Sequence, residues 1–212
     1  MTRRVAAGVL LALLVVTSGC TGVLSGPLTF SASEATVSDA ALEETGYEHN
    51  STKAMNVSRT FSAAGQSKEV EVTNWISEYH QKVGFGGLGE QKVSVFAVFS
   101  SPQVEVLGQS FNPLAKYSNQ QLAQQFTSQL RSVNDVRKVD SQNRTMLGKT
   151  TQVSKFEASV RTAVGIEFDA YVHVTKVEHE GDHVVAIAVY PQKLPGQEDD
   201  VYRLLRGIEH GE

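Results

Sequence analysis

The sequence predicts an α+β domain: an antiparallel β-sheet with two main helices packed on one face, after an N-terminal signal and lipobox segment. Three observations carry this expectation. Residues 93–99, VSVFAVF, are apolar at both parities, as in a strand with a neighbour on each side. Residues 166–175 alternate, with Ile166, Phe168, Ala170, Val172 and Val174 on one face and Glu167, Asp169, Tyr171, His173 and Thr175 on the other. That is the pattern of an antiparallel strand with one solvated face, which leaves His173 exposed. Third, two segments carry apolar stripes at helical spacing: Leu122, Phe126, Leu130 and Val133, and then Val201, Leu204, Leu205 and Ile208. Helices set against a mostly antiparallel sheet define the class.

Taken in chain order, the first element is a targeting segment, residues 1–19. Arg3 and Arg4 make a positive start, and Val5 to Val16 form an apolar run of twelve. A helix of that length spans about 18 Å, well short of the roughly 30 Å of bilayer hydrocarbon. The run therefore suits a signal h-region better than a permanent transmembrane helix. Thr17, Ser18 and Gly19 then lead directly into Cys20, the single cysteine of the 212-residue chain. One thiol builds no internal disulfide. Small residues ending on cysteine resemble a lipobox, in which the cysteine is lipidated and becomes the first mature residue; an uncleaved anchor is the alternative. Arg3-Arg4 fits either a twin-arginine or a general secretory signal. Both lead to the extracellular face of the membrane.

Residues 20–27 form a small, turn-prone tether, and 28–212 a single globular domain. Ser38 is placed to cap a short helix over 39–45, with Gly46 as its terminator. Residues 57–63 and 68–76 alternate around Ala64-Gly65-Gln66, a hairpin signal. Ser118 with Gln121 forms a capping box ahead of the first main helix. Glu180-Gly181-Asp182 is a turn leading into a strand over 184–190, which Pro191 closes, and the last helix runs over about 198–208.

The charge excludes one partner class. The full chain carries −4; without the leader it has 17 basic and 23 acidic residues, or −6. A mildly acidic domain with no basic patch is not built for nucleic acid. The expected partners are the membrane, through the lipid, and a protein or small molecule of unknown identity; a monomer is expected.

Few motifs bear chemistry. Residues 84–89, GFGGLG, match G-x-G-x-x-G but run into a strand, so no helix N-terminus is offered to a pyrophosphate. The sequence contains no G-x-S-x-G, H-E-x-x-H or P-loop. The acidic pairs Glu43-Glu44 and Asp199-Asp200 suit helix ends and exposed faces. Residues 178–183, EHEGDH, bring His179 and His183 to the two sides of a turn with Asp182 between them. Imidazoles and a carboxylate are ligands for Zn or Cu. An exposed turn lacks the supporting groups that orient ligands, so a solvated tip is the preferred reading and no metal or other cofactor is assigned. His49, His80 and His210 show no partner at a recognisable spacing. Asn50, Asn56 and Asn143 stand in Asn-x-Ser/Thr sequons and are glycosylation candidates in an exported protein.

The segments GPLTFSASEATVSDAALEETGYE, EVEVTNWISEY, VFAVFSSPQVEVLGQSFNP and AVYPQKLPGQEDDVYRLLRGIEH resemble an uncharacterised family of haloarchaeal lipoproteins over residues 26–210. The element order also looks like the PsbP-like fold. The first resemblance implies an exported archaeal surface lipoprotein with one domain of unknown function, and it transfers no catalytic or binding residue. The expectation is a non-enzymatic binding or scaffolding domain in the cell envelope. The alternatives are an envelope hydrolase with a dispersed Ser–His–Asp site, or weak metal binding at the 179/183 hairpin.

Overall fold

The computed structural model describes residues 26–63, 66–84, 90–106, 109–110, 112–129, 133–161 and 167–211. The leader with Cys20, most of the GFGGLG segment, the 64–65 turn, Leu130 and Ile166 lie outside the described residues. No helix among the described residues is long and apolar enough to cross a membrane.

The strands and helices run β1 (Leu28–Ser31), β2 (Ala35–Val37), α1 (Asp39–Thr45), β3 (Glu48–Ala63), β4 (Gln66–Gly84), β5 (Glu90–Pro102), β6 (Glu105–Val106) and β7 (Gln109–Ser110). After a 3-10 turn at Pro113–Ala115 come α2 (Asn119–Gln129), β8 (Val133–Met146), β9 (Lys149–Arg161), β10 (Glu167–His179), β11 (Asp182–Pro191), α3 (Gln197–Arg206) and β12 (Ile208–His210). The main sheet has the order β1-β4-β5-β11-β10-β9-β8, and β3 pairs with β4. The resolved pairings β4–β5, β5–β11, β11–β10, β10–β9 and β9–β8 are all antiparallel. The α+β class is therefore the one the sequence predicts.

The chain divides into two compact units. The larger, Phe30–Val57 with Val72–Glu212, carries every histidine and, among the described residues, the helices. The described part of the smaller is residues 26–29 and Ser58–Glu71, where Lys68 Nζ donates to the Gly26 carbonyl at 3.3 Å.

Several local predictions hold in detail. Ser38 Oγ accepts from the Ala41 amide at 3.4 Å, and Gly46, at φ +67°, ends α1 in the left-handed conformation. At the start of α2, Gln121 Oε1 accepts from the Ser118 amide at 2.9 Å, and Ser118 Oγ accepts from the Gln121 amide at 3.3 Å. β5 is central, between β4 and β11.

The placement of the two main helices differs from the expectation. Val184, Ala186, Ala188 and Tyr190 pack in one cluster with Val201, Leu204 and Leu205 of α3. Val185 and Ile187 pack in the other with Leu122 and Ala123 of α2. Successive side chains of a strand point to opposite faces, so α2 and α3 lie on opposite faces of the sheet. The physical reason is in β11 itself, where residues 184–190 are apolar at both parities and both faces need cover.

Three further differences follow from long-range packing. The polar face of β10 is dry: His173 is 2% exposed and Thr175 1%, because α3 lies over it. Val133 opens β8 and Ile208 opens β12, where helical spacing had assigned both to helices. Gly207 ends α3 because the chain there runs against α1; a Cβ at 207 would come within 2.4 Å of the Ala41 Cβ.

Candidate functional site

The β10–β11 connection is a two-residue loop, one residue shorter than the turn the sequence suggested. Glu180 (φ +48°) and Gly181 (φ +85°) are both left-handed, as a type I′ hairpin turn requires. His179 pairs with Asp182 and Glu178 with His183, so Asp182 and His183 already belong to β11. The Gln103 amide donates to the Gly181 carbonyl at 2.8 Å and ties the turn to the end of β5.

This register separates the three residues singled out in the 178–183 segment. His179 and Asp182, directly opposite, point to the α3 face together with Val184; His183 points to the other face with Val185. His183 is buried there, with Nδ1 3.6 Å from Glu178 Oε1, and burial holds its imidazole below the usual histidine range. It cannot share a ligand with His179. Glu180 and Gly181 at the tip are exposed as expected, but Asp182 and His183 beside them are not solvated, at 5% and 2% exposed.

In place of His183 the fold supplies His210. After α3 the chain re-enters as β12, which pairs antiparallel with β2 and sets His210 opposite Ala35. The His210 side chain is completely buried. Its Nε2 lies 3.0 Å from Asp182 Oδ2, and its Nδ1 lies 3.1 Å from His179 Nδ1. Asp182 Oδ2 also accepts from the Ser33 amide at 2.8 Å. A carboxylate at Nε2 favours the tautomer with the proton there, in which the His210 Nδ1 lone pair is directed at His179. In that tautomer His179 Nδ1–H is assigned as the donor of the pair.

Glu180 completes the group. Its carboxylate lies over the backbone of Gly211, where a Cβ would stand 1.9 Å from Oε2. Gly211 has φ +87°, so glycine there serves both the conformation and the close approach. One ligand atom each from His179, Glu180 and His210 fall within 4.8 Å of one another. The sequence assigned His210 no partner because 31 residues separate it from His179, and only β12 and the hairpin together bring them into contact.

A second buried polar group lies in the α3 face. His173 Nε2 is 2.9 Å from the Tyr190 hydroxyl, the two rings stack at 5.5 Å, and Tyr202 meets His173 edge-on at 5.8 Å. Tyr202 donates to Glu198 Oε1 at 2.7 Å, and Lys155 Nζ donates to Glu198 Oε2 at 2.6 Å. Burial lowers the His173 pKa to about 4, so the ring is neutral at physiological pH. Its Nδ1 has no hydrogen-bond partner among the described residues. Apolar side chains including Phe96, Val153, Val201 and Leu205 pack around His173.

The two groups allow different chemistry. A dispersed hydrolase site needs an imidazole with a carboxylate on one nitrogen and a hydroxyl on the other. The Asp182–His210 pair meets the first condition, but the second nitrogen faces His179. Two imidazole nitrogens and a carboxylate are instead ligands suited to a borderline divalent cation.

The three sequon asparagines, Asn50, Asn56 and Asn143, are all exposed, the first two on β3 and the third on β8. Asn56 Oδ1 accepts from Thr73 Oγ1 at 3.0 Å.

No curated protein matches the chain. The family model described as "Domain of unknown function (DUF6517)" matches residues 34–209, which takes in α1 to α3, the main sheet from β3 onward and the β10–β11 turn. With that span covering most of its length, the chain belongs to the DUF6517 family.

Proposed function

We propose that this DUF6517 protein is a lipid-anchored lipoprotein on the outer face of an archaeal cell membrane, and that its domain binds or scaffolds an envelope partner. One observation carries the reading: Arg3-Arg4, the apolar run Val5 to Val16, and Thr17-Ser18-Gly19 directly before the single cysteine, Cys20. A single acyl chain gives only marginal membrane binding, so stable attachment takes two chains at Cys20 or a leader that is never cleaved. Binding is favoured over hydrolysis because the free nitrogen of the Asp182–His210 pair is directed at another imidazole. The exposed positions of Asn50, Asn56 and Asn143 are compatible with glycans on an exported protein.

Detergent phase partitioning of the wild type and of Cys20→Ser tests the anchor. The wild type partitions with detergent and Cys20→Ser with the aqueous phase; a Cys20→Ser protein that stays with detergent refutes lipidation. Intact mass of the purified wild-type protein gives the cleavage site and the number of lipid chains.

A further inference from the structure

We propose that His179, His210 and Glu180 form a binding site for a divalent transition-metal ion, Zn2+ in the first instance, which clasps the C-terminal strand β12 to the β10–β11 turn. The site goes beyond the anchored-domain reading and does not rest on it.

The geometry of the two imidazoles comes first. Their Nδ1 atoms stand 3.1 Å apart. Two nitrogens at ~2.0–2.1 Å from a tetrahedral zinc are held about 3.3–3.4 Å apart, so a shift of a few tenths of an ångström admits the ion. Before the ion binds, the proton on His179 Nδ1 fills the place between the rings. On binding, that proton moves to His179 Nε2, the ring stays neutral, and two lone pairs then meet the metal. Glu180 supplies an anionic third ligand within the same 4.8 Å group, and water completes a four-coordinate shell.

The second argument is the support behind the ligands. Asp182 accepts from His210 Nε2 and is itself fixed by the Ser33 amide, the carboxylate–histidine relay typical of metal-bound imidazole. The His210 side chain is completely buried, and its Nδ1 faces His179 Nδ1 at 3.1 Å. Gly211 leaves the space that the Glu180 carboxylate occupies. The turn places a non-glycine residue, Glu180, at φ +48°, where asparagine or glycine is easier to accommodate. The set has two nitrogens and one oxygen, which suits Zn2+ and Cu2+ rather than Mg2+ or Ca2+.

The test is calorimetric titration of the purified full-length chain in detergent with Zn2+, supported by the visible absorption of bound Co2+. Wild type binds one equivalent at micromolar or tighter affinity, and excess Mg2+ does not compete. His179→Ala and His210→Ala each weaken binding by at least tenfold, and Glu180→Gln by a smaller factor. His183→Ala, on the opposite face, leaves affinity within about twofold, by analogy with residues outside a metal's ligand and supporting shells. His179 lies on the partly exposed rim, so His179→Ala keeps its circular dichroism spectrum even if His210→Ala does not fold. Absence of Zn2+ binding below millimolar in wild type overturns the proposal. So does equal affinity in wild type and folded His179→Ala, or loss of binding in His183→Ala.

Discussion

His173 and His179 stand six residues apart on the same face of β10, and their surroundings have opposite consequences. His173 is enclosed by Tyr190, Tyr202 and the apolar wall under α3, and burial pushes its pKa down to about 4. It serves as a core residue with one hydrogen bond, to Tyr190. His179 sits where the sheet ends and two chain segments converge, with a second imidazole and a carboxylate beside it. Burial by itself neutralises a histidine and removes it from chemistry. A ligand site needs lone pairs that converge and a carboxylate behind them that fixes the tautomer.

The largest test of this contrast is Phe96→Ala. Phe96 is fully buried in the packing around His173, and its truncation costs about 3–5 kcal/mol. Urea unfolding measures the loss; a change below about 1 kcal/mol in the midpoint-derived stability would show that the packing around His173 is not part of the rigid core. Glu180→Ala, at the exposed turn, serves as the near-neutral reference.

Next in size is a pH effect specific to His173. The folded pKa of about 4 lies below the ordinary value of 6.5, so between these values the unfolded chain takes up a proton that the folded chain refuses. Stability is therefore complete above pH 6.5 and falls on acidification by about 1.4 kcal/mol per pH unit, to a total of about 3 kcal/mol near pH 4. The Glu198 charge acts on His173: burial alone would raise the Glu198 pKa, but hydrogen bonds from Lys155 and Tyr202 hold it below the usual range. It too loses stability in acid, so the comparison is between wild type and His173→Leu, both retaining Glu198. The leucine variant has a flatter slope from pH 6.5 to 4.5; parallel slopes would mean that His173 does not titrate with unfolding.

The smallest effect separates stability from ligation at the turn. Glu180→Asn relieves the left-handed backbone at φ +48° and raises stability in the absence of metal by about 0.5 kcal/mol. The same change removes a ligand, so the variant melts slightly higher in chelator and gains less from added Zn2+ than wild type. A fall in the melting temperature in chelator would mean that Glu180 has a structural role of its own. The β8–β9 turn offers a parallel, since Leu147 at φ +49° precedes Gly148. There the side chain packs against the core, so substitution loses apolar contact as well as strain.

Local signals were legible wherever the determinant lies within a few residues. Ser38 and Gly46 bound α1 as read, because a cap needs only its own turn. Ser118 and Gln121 cap α2 for the same reason. The helix stripes failed at their last members: Val133 and Ile208 continue the helical spacing but lie in strands, because hydrogen bonds to β9 and β2 compete for their backbone. The alternation of β10 read as wet on one side because His, Tyr and Thr are amphipathic, and only α3 shows that this face is covered.

The sequence by itself determined the α+β class, the capped helices and the central β5 strand, all of which depend on short-range spacing and periodicity. The tertiary structure alone decided that α2 and α3 take opposite faces, that His173 is buried, and that His210 rather than His183 stands beside His179. Those outcomes depend on strand register and on contacts between residues far apart in the chain. A one-residue change in the turn exchanges the faces of β11, and no local pattern encodes the return of β12 to the hairpin.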